Sequence, residues 1–326
     1  MRTPEPDNVN RGHIDSWNVT IERRLPLDLV ASASYVGTAS REGYADLELN
    51  AGEPGTGTNG APLAAQFGRT SSTLSWGSRT RANYHALQVA VNRPFVNGLL
   101  VRGAYTLSKA MNEVDDDGWA ALFWSAPSQI DRNYALAGYD RTHVLQLGVV
   151  YALPFGQGDT NVLNAIIRDW QVNANISAYS GRPFNVTASG ASLNASFGNQ
   201  TADQVGEPQK TGIKKPFEPF YEAGAWAPVT EVRFGSSGRN SLRGPGTGNT
   251  DMSVFRSFPV GDRVRLEGRV EIFNLFNAVH FDAGQGGAAA GAVRNSRAAS
   301  DFMTLSNDGG APQDQRTVRL GFRITF

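Results

Sequence analysis

The chain closes on RTVRLGFRITF, Arg316 to Phe326. Side chains along a strand alternate between two faces, so Val318, Leu320, Phe322, Ile324 and Phe326 share one face. Thr317, Arg319, Gly321, Arg323 and Thr325 share the other. An aliphatic row backed by a row of arginines suits the edge of a soluble sandwich. It equally suits a membrane barrel strand, with one face in lipid and the other in a wet lumen.

Working back toward the N-terminus, the same alternation recurs. It gives nine candidate strands: Ile14–Arg24, Asp28–Gly37, Tyr84–Arg93, Leu99–Lys109, Arg141–Leu153, Asp169–Ser180, Thr250–Phe258, Arg263–Phe276 and the terminal one. Connections after the odd strands are short, about 3 to 15 residues, and those after the even strands run to about 30 to 70, longer than a compact soluble domain tolerates repeatedly. Short turns at one end and long loops at the other are the plan of an outer-membrane barrel, whose short turns are periplasmic and long loops extracellular. The odd strands then run inward. Tyr151, Phe155, Trp170, Phe258 and Phe326 fall at the periplasmic level, and Tyr35, Tyr84, Tyr105 and Phe276 at the outer rim, as two aromatic girdles.

Composition bounds the alternatives. Thirty Lys+Arg balance thirty Asp+Glu, so no general basic surface draws the chain to nucleic acid. Thirty-six glycines fit an all-β, turn-rich protein, and the absence of cysteine removes disulfides, thiolate metal sites and cysteine nucleophiles. No apolar run reaches the roughly 20 residues of a transmembrane helix. MRTPEPDNVNRGHIDSW carries no apolar stretch of the secretory kind, and nine strands is an odd number for a bacterial barrel. Residues 1–326 are therefore expected to be the C-terminal part of a barrel, without its export signal and earlier strands.

Six segments, in order, carry a resemblance: DSWNVTIERRLPLDLVASASYVG, NYHALQVAVNRPFVNGLLVRGAYTLSKAM, YDRTHVLQLGVVYALPFG, ISAYSGRPFNV, EGRVEIFNLFNAVHF and RLGFRITF. Together they resemble the C-terminal barrel of TonB-dependent outer-membrane receptors, in the Oar-like branch that carries a carboxypeptidase-regulatory-like domain. The resemblance implies an all-β, antiparallel transmembrane β-barrel of 22 strands, of which this chain holds about nine, set in outer-membrane lipid. It further implies a plug domain, absent here, and contact with the TonB complex only through N-terminal regions that are also absent. The implied function is capture and uptake of a small ligand, glycan or peptide, with no cofactor. Two rivals stay open: an outer-membrane scaffold or adhesion protein that transports nothing, and a soluble β-sandwich carbohydrate-binding module.

No catalytic constellation emerges. Glu113, Asp115, Asp117 and Gly118 match the start of a calcium loop, but the twelfth position is Trp124 rather than a bidentate acid. A solvated acidic loop is therefore the better reading, with a weak surface calcium site as the alternative. His13, His85, His143 and His280 are far apart and lack an i, i+4 partner, so they form no zinc signature, and His85 and His143 fall near the outer ends of strands. No G-x-S-x-G motif occurs. The glycines of Ala51–Pro62 and Gly284–Val293 read as loop tips rather than phosphate cradles. Exposed loop aromatics are the functional lead, because a rigid Trp or Tyr offers large contact area at low entropic cost: Trp119, Phe123, Trp124, Tyr221 and Trp226 are the candidate ligand contacts. For the same residues, packing of the loops on one another is the reading with more weight, and direct ligand contact the sharper one.

One register follows from charge. Pairing Arg263–Phe276 antiparallel with the terminal strand so that Glu267 opposes Arg323 and Glu271 opposes Arg319 also sets Gly268 beside Phe322 and Leu266 beside Ile324.

Overall fold

A computed structural model describes residues 1–115, 120–156, 164, 167–260, 263–281, 293–305 and 315–326. Nine long strands form one sheet: β1 (His13–Leu25), β2 (Leu29–Glu48), β3 (Leu74–Val96), β4 (Leu99–Asn112), β5 (His143–Ala152), β6 (Trp170–Tyr179), β7 (Thr247–Val260), β8 (Val264–Phe273) and β9 (Thr317–Thr325). Each pairs antiparallel with its sequence neighbours, and β1 and β9 are the two edges of an open sheet. A single continuous sheet removes the sandwich alternative, which needs two sheets face to face. Strands β5, β6, β8 and β9 have the 9 or 10 residues that suffice to cross a bilayer.

The register makes the two faces explicit. Val101, Val149, Ala174, Met252, Ile272 and Val318 are successive partners across six strands, an unbroken apolar row. One residue along, the row reads Leu100, Val150, Asn173, Ser253, Glu271, Arg319. In the other half of the sheet Ile21, Ala33, Val89, Tyr105 and Leu145 align on the same apolar face, and beside them, on the polar face, Glu22, Ser32, Ala90, Ala104 and Gln146. Leu320 and Phe322 are 73% and 88% exposed, which in water would be costly and in lipid is not.

The β8–β9 register is the one the charges required. Glu267 pairs with Arg323, Glu271 with Arg319, Gly268 with Phe322 and Leu266 with Ile324. Phe322 lies over Gly268, its ring 3.7 Å from where a β-carbon would stand. Among the described residues the opposed charges do not close into ion pairs. Arg319 instead holds its guanidinium 4.9 Å from the Phe273 ring centre, and Arg269 crosses Gly321.

Connections alternate as expected. Residues 26–28, 97–98, 153–169 and 261–263 join strands at one end, and 49–73, 113–142, 180–246 and 274–316 join them at the other. Asn97 and Gly98 both have positive φ, the two-residue turn that matches strand twist. Tyr151, Trp170, Phe258 and Phe326 all lie on the apolar face at the short-turn end, and Tyr35 and Tyr105 on that face at the long-loop end. Tyr84 reaches the same level but opposes Thr38 and Ala110 on the polar face, so it belongs to the lumen side and not to the girdle.

Two features depart from the sequence reading. Strands β2 and β3 continue well past Gly37 and begin well before Tyr84, through a bulge at Ser40–Gly43, into an arm in which Tyr44–Glu48 pairs with Leu74–Ser78. Above the membrane both faces of a strand meet protein or water, so the alternation that marks a membrane strand is lost there. Arg2–Pro4 adds a short parallel strand to this arm, held by Arg2–Asp46 and Arg79–Glu5 ion pairs. The glycine stretch Ala51–Pro62 also leads into a helix, Pro62–Phe67, contrary to its reading as a loop tip alone. Pro62 opens that helix and Gly68, at φ 65°, closes it. Gly284–Ala292 lies outside the described residues.

Candidate functional site

The long connections fold onto the polar face. At the outer end of the sheet Ala86, Ala110 and Asn112 are 3 to 5% exposed, whereas Leu87 and Leu107 on the apolar face are 45% and 40% exposed. The loops thus cover the mouth of the lumen and leave the membrane face bare.

The loop assembly has its own core. Phe184, Phe220, Tyr221, Trp226, Phe281, Phe302, Met303 and Leu305 pack together, drawn from the connections after β6 and β8. The rings meet edge to face: Tyr221 and Trp226 centres are 6.1 Å apart at 89°, and Trp226 and Phe302 centres 6.1 Å apart at 86°. Burial raises the pKa of the Tyr221 hydroxyl, which donates to the Arg243 carbonyl at 2.9 Å.

Each sequence candidate can now be placed. Trp124, Tyr221 and Trp226 are buried, at 1%, 4% and 2% exposure. Trp124 donates through Nε1 to the Asn199 carbonyl at 3.1 Å and carries the Arg132 guanidinium 4.3 Å from its ring. Half-buried Phe123 packs edge-on against it at 4.7 Å. Trp119 lies outside the described residues. With three of these side chains closed to solvent, contact with a ligand would require the loops to open.

The acids of the calcium reading serve protein partners. Glu113 accepts from the Arg81 backbone at 2.8 Å and pairs with its guanidinium at 3.4 Å. Asp115 accepts from Asn112, the Gly138 backbone and Arg239, at 3.1, 2.6 and 3.1 Å. Asp117 and Gly118 lie outside the described residues. Trp124, at the twelfth position, faces the loop interior.

What joins the loops to the wall was invisible in the sequence. Arg239, 5% exposed, donates to the Asn112 and Asn133 carbonyls at 2.9 and 2.6 Å, to Asn112 Oδ1 at 2.5 Å and to Asp115. Asn240 donates to the Leu136 carbonyl at 2.6 Å. Arg243 pairs with Asp140, which is 2% exposed and also accepts from the Ala110 backbone at 2.6 Å. Arg239, Asn240 and Arg243 reach partners about a hundred or more residues away, with no motif or period to mark them. Buried charges satisfied on several sides fix one geometry, since removing any partner strands the others.

Beside this junction a cavity of about 390 Å³ opens between the top of β2–β3 and the 112–139 segment. Ser40, Tyr44, Thr80, Arg81, Asn112, Asp115 and Tyr139 line it. Tyr44 stacks on Trp76 at 4.5 Å, and Arg81 on Tyr134 at 4.4 Å. Tyr139 is half exposed, and its partial burial raises the pKa of a hydroxyl that can donate or accept. Two phenols, a guanidinium and a carboxylate around one small cavity can hydrogen-bond a polar solute while a ring covers its apolar side. No group of acidic and histidine side chains able to hold a metal occurs among the described residues.

A search of curated proteins found no match. Among solved structures, similar ones are the outer membrane transporter YddB of Escherichia coli (TM-score 0.49, 5% identity, 97% of this chain and 33% of that one), the ferric-catecholate import receptor Fiu of E. coli K12 (0.43, 12%, 97% and 28%) and the FrpB iron transporter of Neisseria meningitidis (0.42, 10%, 96% and 31%). The chain spans about a third of the length of each. Residues 2–319 match the family model described as an outer membrane beta barrel domain. Sidedness, register and composition of the wall agree with that match, and the chain belongs to the outer membrane beta barrel domain family.

Proposed function

We propose that this chain supplies part of the wall and extracellular cap of an outer-membrane transporter that takes a polar solute at the rim cavity and passes it into the lumen, with energy relayed by TonB. The observation that carries the proposal is the coincidence of that cavity with the Arg239 junction: the site lined by Tyr44, Arg81 and Tyr139 shares Asn112 and Asp115 with the contacts that hold the cap shut. A solute competing for those groups would loosen the cap where it must open.

Binding of siderophores, oligosaccharides, short peptides and a cobalamin to the whole protein in detergent, by calorimetry, tests this. A solute that binds should lose about tenfold in affinity when Tyr139→Phe removes one hydrogen bond inside the cavity. Its uptake by cells should stop when the proton gradient is dissipated. If no solute class binds and cells lacking the protein take up all of them normally, the scaffold reading replaces the transporter. The closed aromatic core of the cap is the feature that favours that second reading.

A further inference from the structure

The membrane face repeats one device. Tyr35 Oη lies 2.8 Å from His85 Nδ1, and Tyr105 Oη lies 2.7 Å from His143 Nδ1. Both pairs are stacked, with ring centres 6.2 Å apart at 17° and 25°. Both are diagonal: Tyr35 stands two residues before Gly37, the partner of His85, and Tyr105 two residues before Leu107, the partner of His143. Membrane burial alone has no use for a histidine, and two copies of one geometry on neighbouring hairpins need a common cause.

The surroundings supply it. Lys109 pairs in register with His85 on the same face and is exposed. Trp17 lies across Gly37 with its ring centre 6.1 Å from His85. Toward the membrane centre the face turns to Leu87, Val89, Leu107 and Leu145, all exposed. On its outer side come Asn83, Arg41 and His13, with the single carboxylate Asp15 among them. When Nδ1 accepts the tyrosine proton, the imidazole carries its own proton on Nε2, which makes no hydrogen bond to the described protein. Two outward N–H donors and an ammonium group then stand at headgroup level above an aliphatic wall.

We infer that this rim is a binding site for the phosphate headgroup of an outer-leaflet lipid, with Lys109, His85 and His143 on the phosphate and Leu87, Leu107 and Leu145 against its acyl chains. Charge complementarity selects the anion, and the aliphatic wall directly beneath selects a lipid over a free ion.

The test uses the whole protein in phosphatidylcholine nanodiscs. Phosphorylated lipid A and the same lipid after enzymatic dephosphorylation are offered in turn, with retained lipid read by native mass spectrometry. The phosphorylated form should be retained preferentially, and Lys109→Ala should cut that preference about fivefold. His85→Ala with His143→Ala should remove most of the remainder, while Leu320→Ala on the far strand leaves it unchanged. Equal retention of both lipids by the unaltered protein would overturn the inference, whatever the variants do. Release of bound lipid by millimolar inorganic phosphate would also overturn it, by showing a site for the free ion.

Discussion

The wall and the cap of this protein solve opposite problems. In the wall each strand pairs with its neighbours in sequence, the ladder is continuous between the two edges β1 and β9, and large apolar side chains such as Phe322 and Leu320 face outward. In the cap the backbone is irregular, the apolar side chains point inward to a core around Trp226, and the decisive bonds join residues about a hundred or more positions apart. The wall keeps its order because lipid penalises any unpaired peptide group. The cap stands in water and must bury its own rings. One chain therefore holds two unlike kinds of stability, and they should fail separately.

The largest expected effect breaks the cap alone. Trp226→Ala empties the centre of the loop core and should cost the cap about 3 to 5 kcal/mol. Protease cleavage within 180–246 should speed up, while amide exchange in β5 to β8 stays slow. Equal loss of protection in both regions would show cap and wall to be one cooperative unit. A change confined to the wall comes next. Val270→Arg, on the apolar face, should cost about 2 to 4 kcal/mol in bilayers, and Thr317→Arg, on the polar face, much less. Urea titration of the folded fraction measures both, and equal costs would refute the facing.

Acid should also separate the regions. In the cap, hydrogen bonds from Arg233 hold the Asp203 carboxyl below its ordinary range, both oxygens being engaged at 2.9 and 2.6 Å. A depressed folded-state pKa contributes stability that is complete above the unfolded value, about 3.9, and is lost as pH falls through the folded one. Loop protease sensitivity should therefore rise below about pH 4, and Asp203→Asn should abolish that rise. The smallest effect concerns the wall's charges. Because Glu267 and Arg323 face each other without closing an ion pair, a double-mutant cycle should give a coupling below about 0.5 kcal/mol. A larger value would mean that charge, and not the pleat, holds the register.

That result would bear on how the register came to be read correctly. Aligning Glu267 and Glu271 with Arg323 and Arg319 found the observed pairing, yet the guanidinium of Arg319 rests on Phe273 and that of Arg269 on Gly321. Charge served as a marker of the polar face more than as a bond. Tyr84 shows the limit of level without face: its height on the strand was legible, and its parity with Thr38 and Ala110 decided its side. The loop aromatics show another limit. Trp124, Tyr221 and Trp226 stood out as ligand contacts because nothing local distinguishes a ring awaiting a solute from one packed on its neighbours.

Alternation and spacing along the chain were enough to find the nine strands, their two faces, the alternation of short and long connections and the register of the last hairpin. They could do so because a membrane wall lies between two different solvents, and each residue along a strand must answer to one of them in strict alternation. The arm built from Tyr44–Glu48 and Leu74–Ser78, the loop core around Trp226, and the seat of Arg239 among Asn112, Asp115 and Asn133 emerged only in three dimensions. There the solvent is the same on every side, so no period is imposed. Partners that meet across a hundred residues of chain leave no trace in the order of either segment.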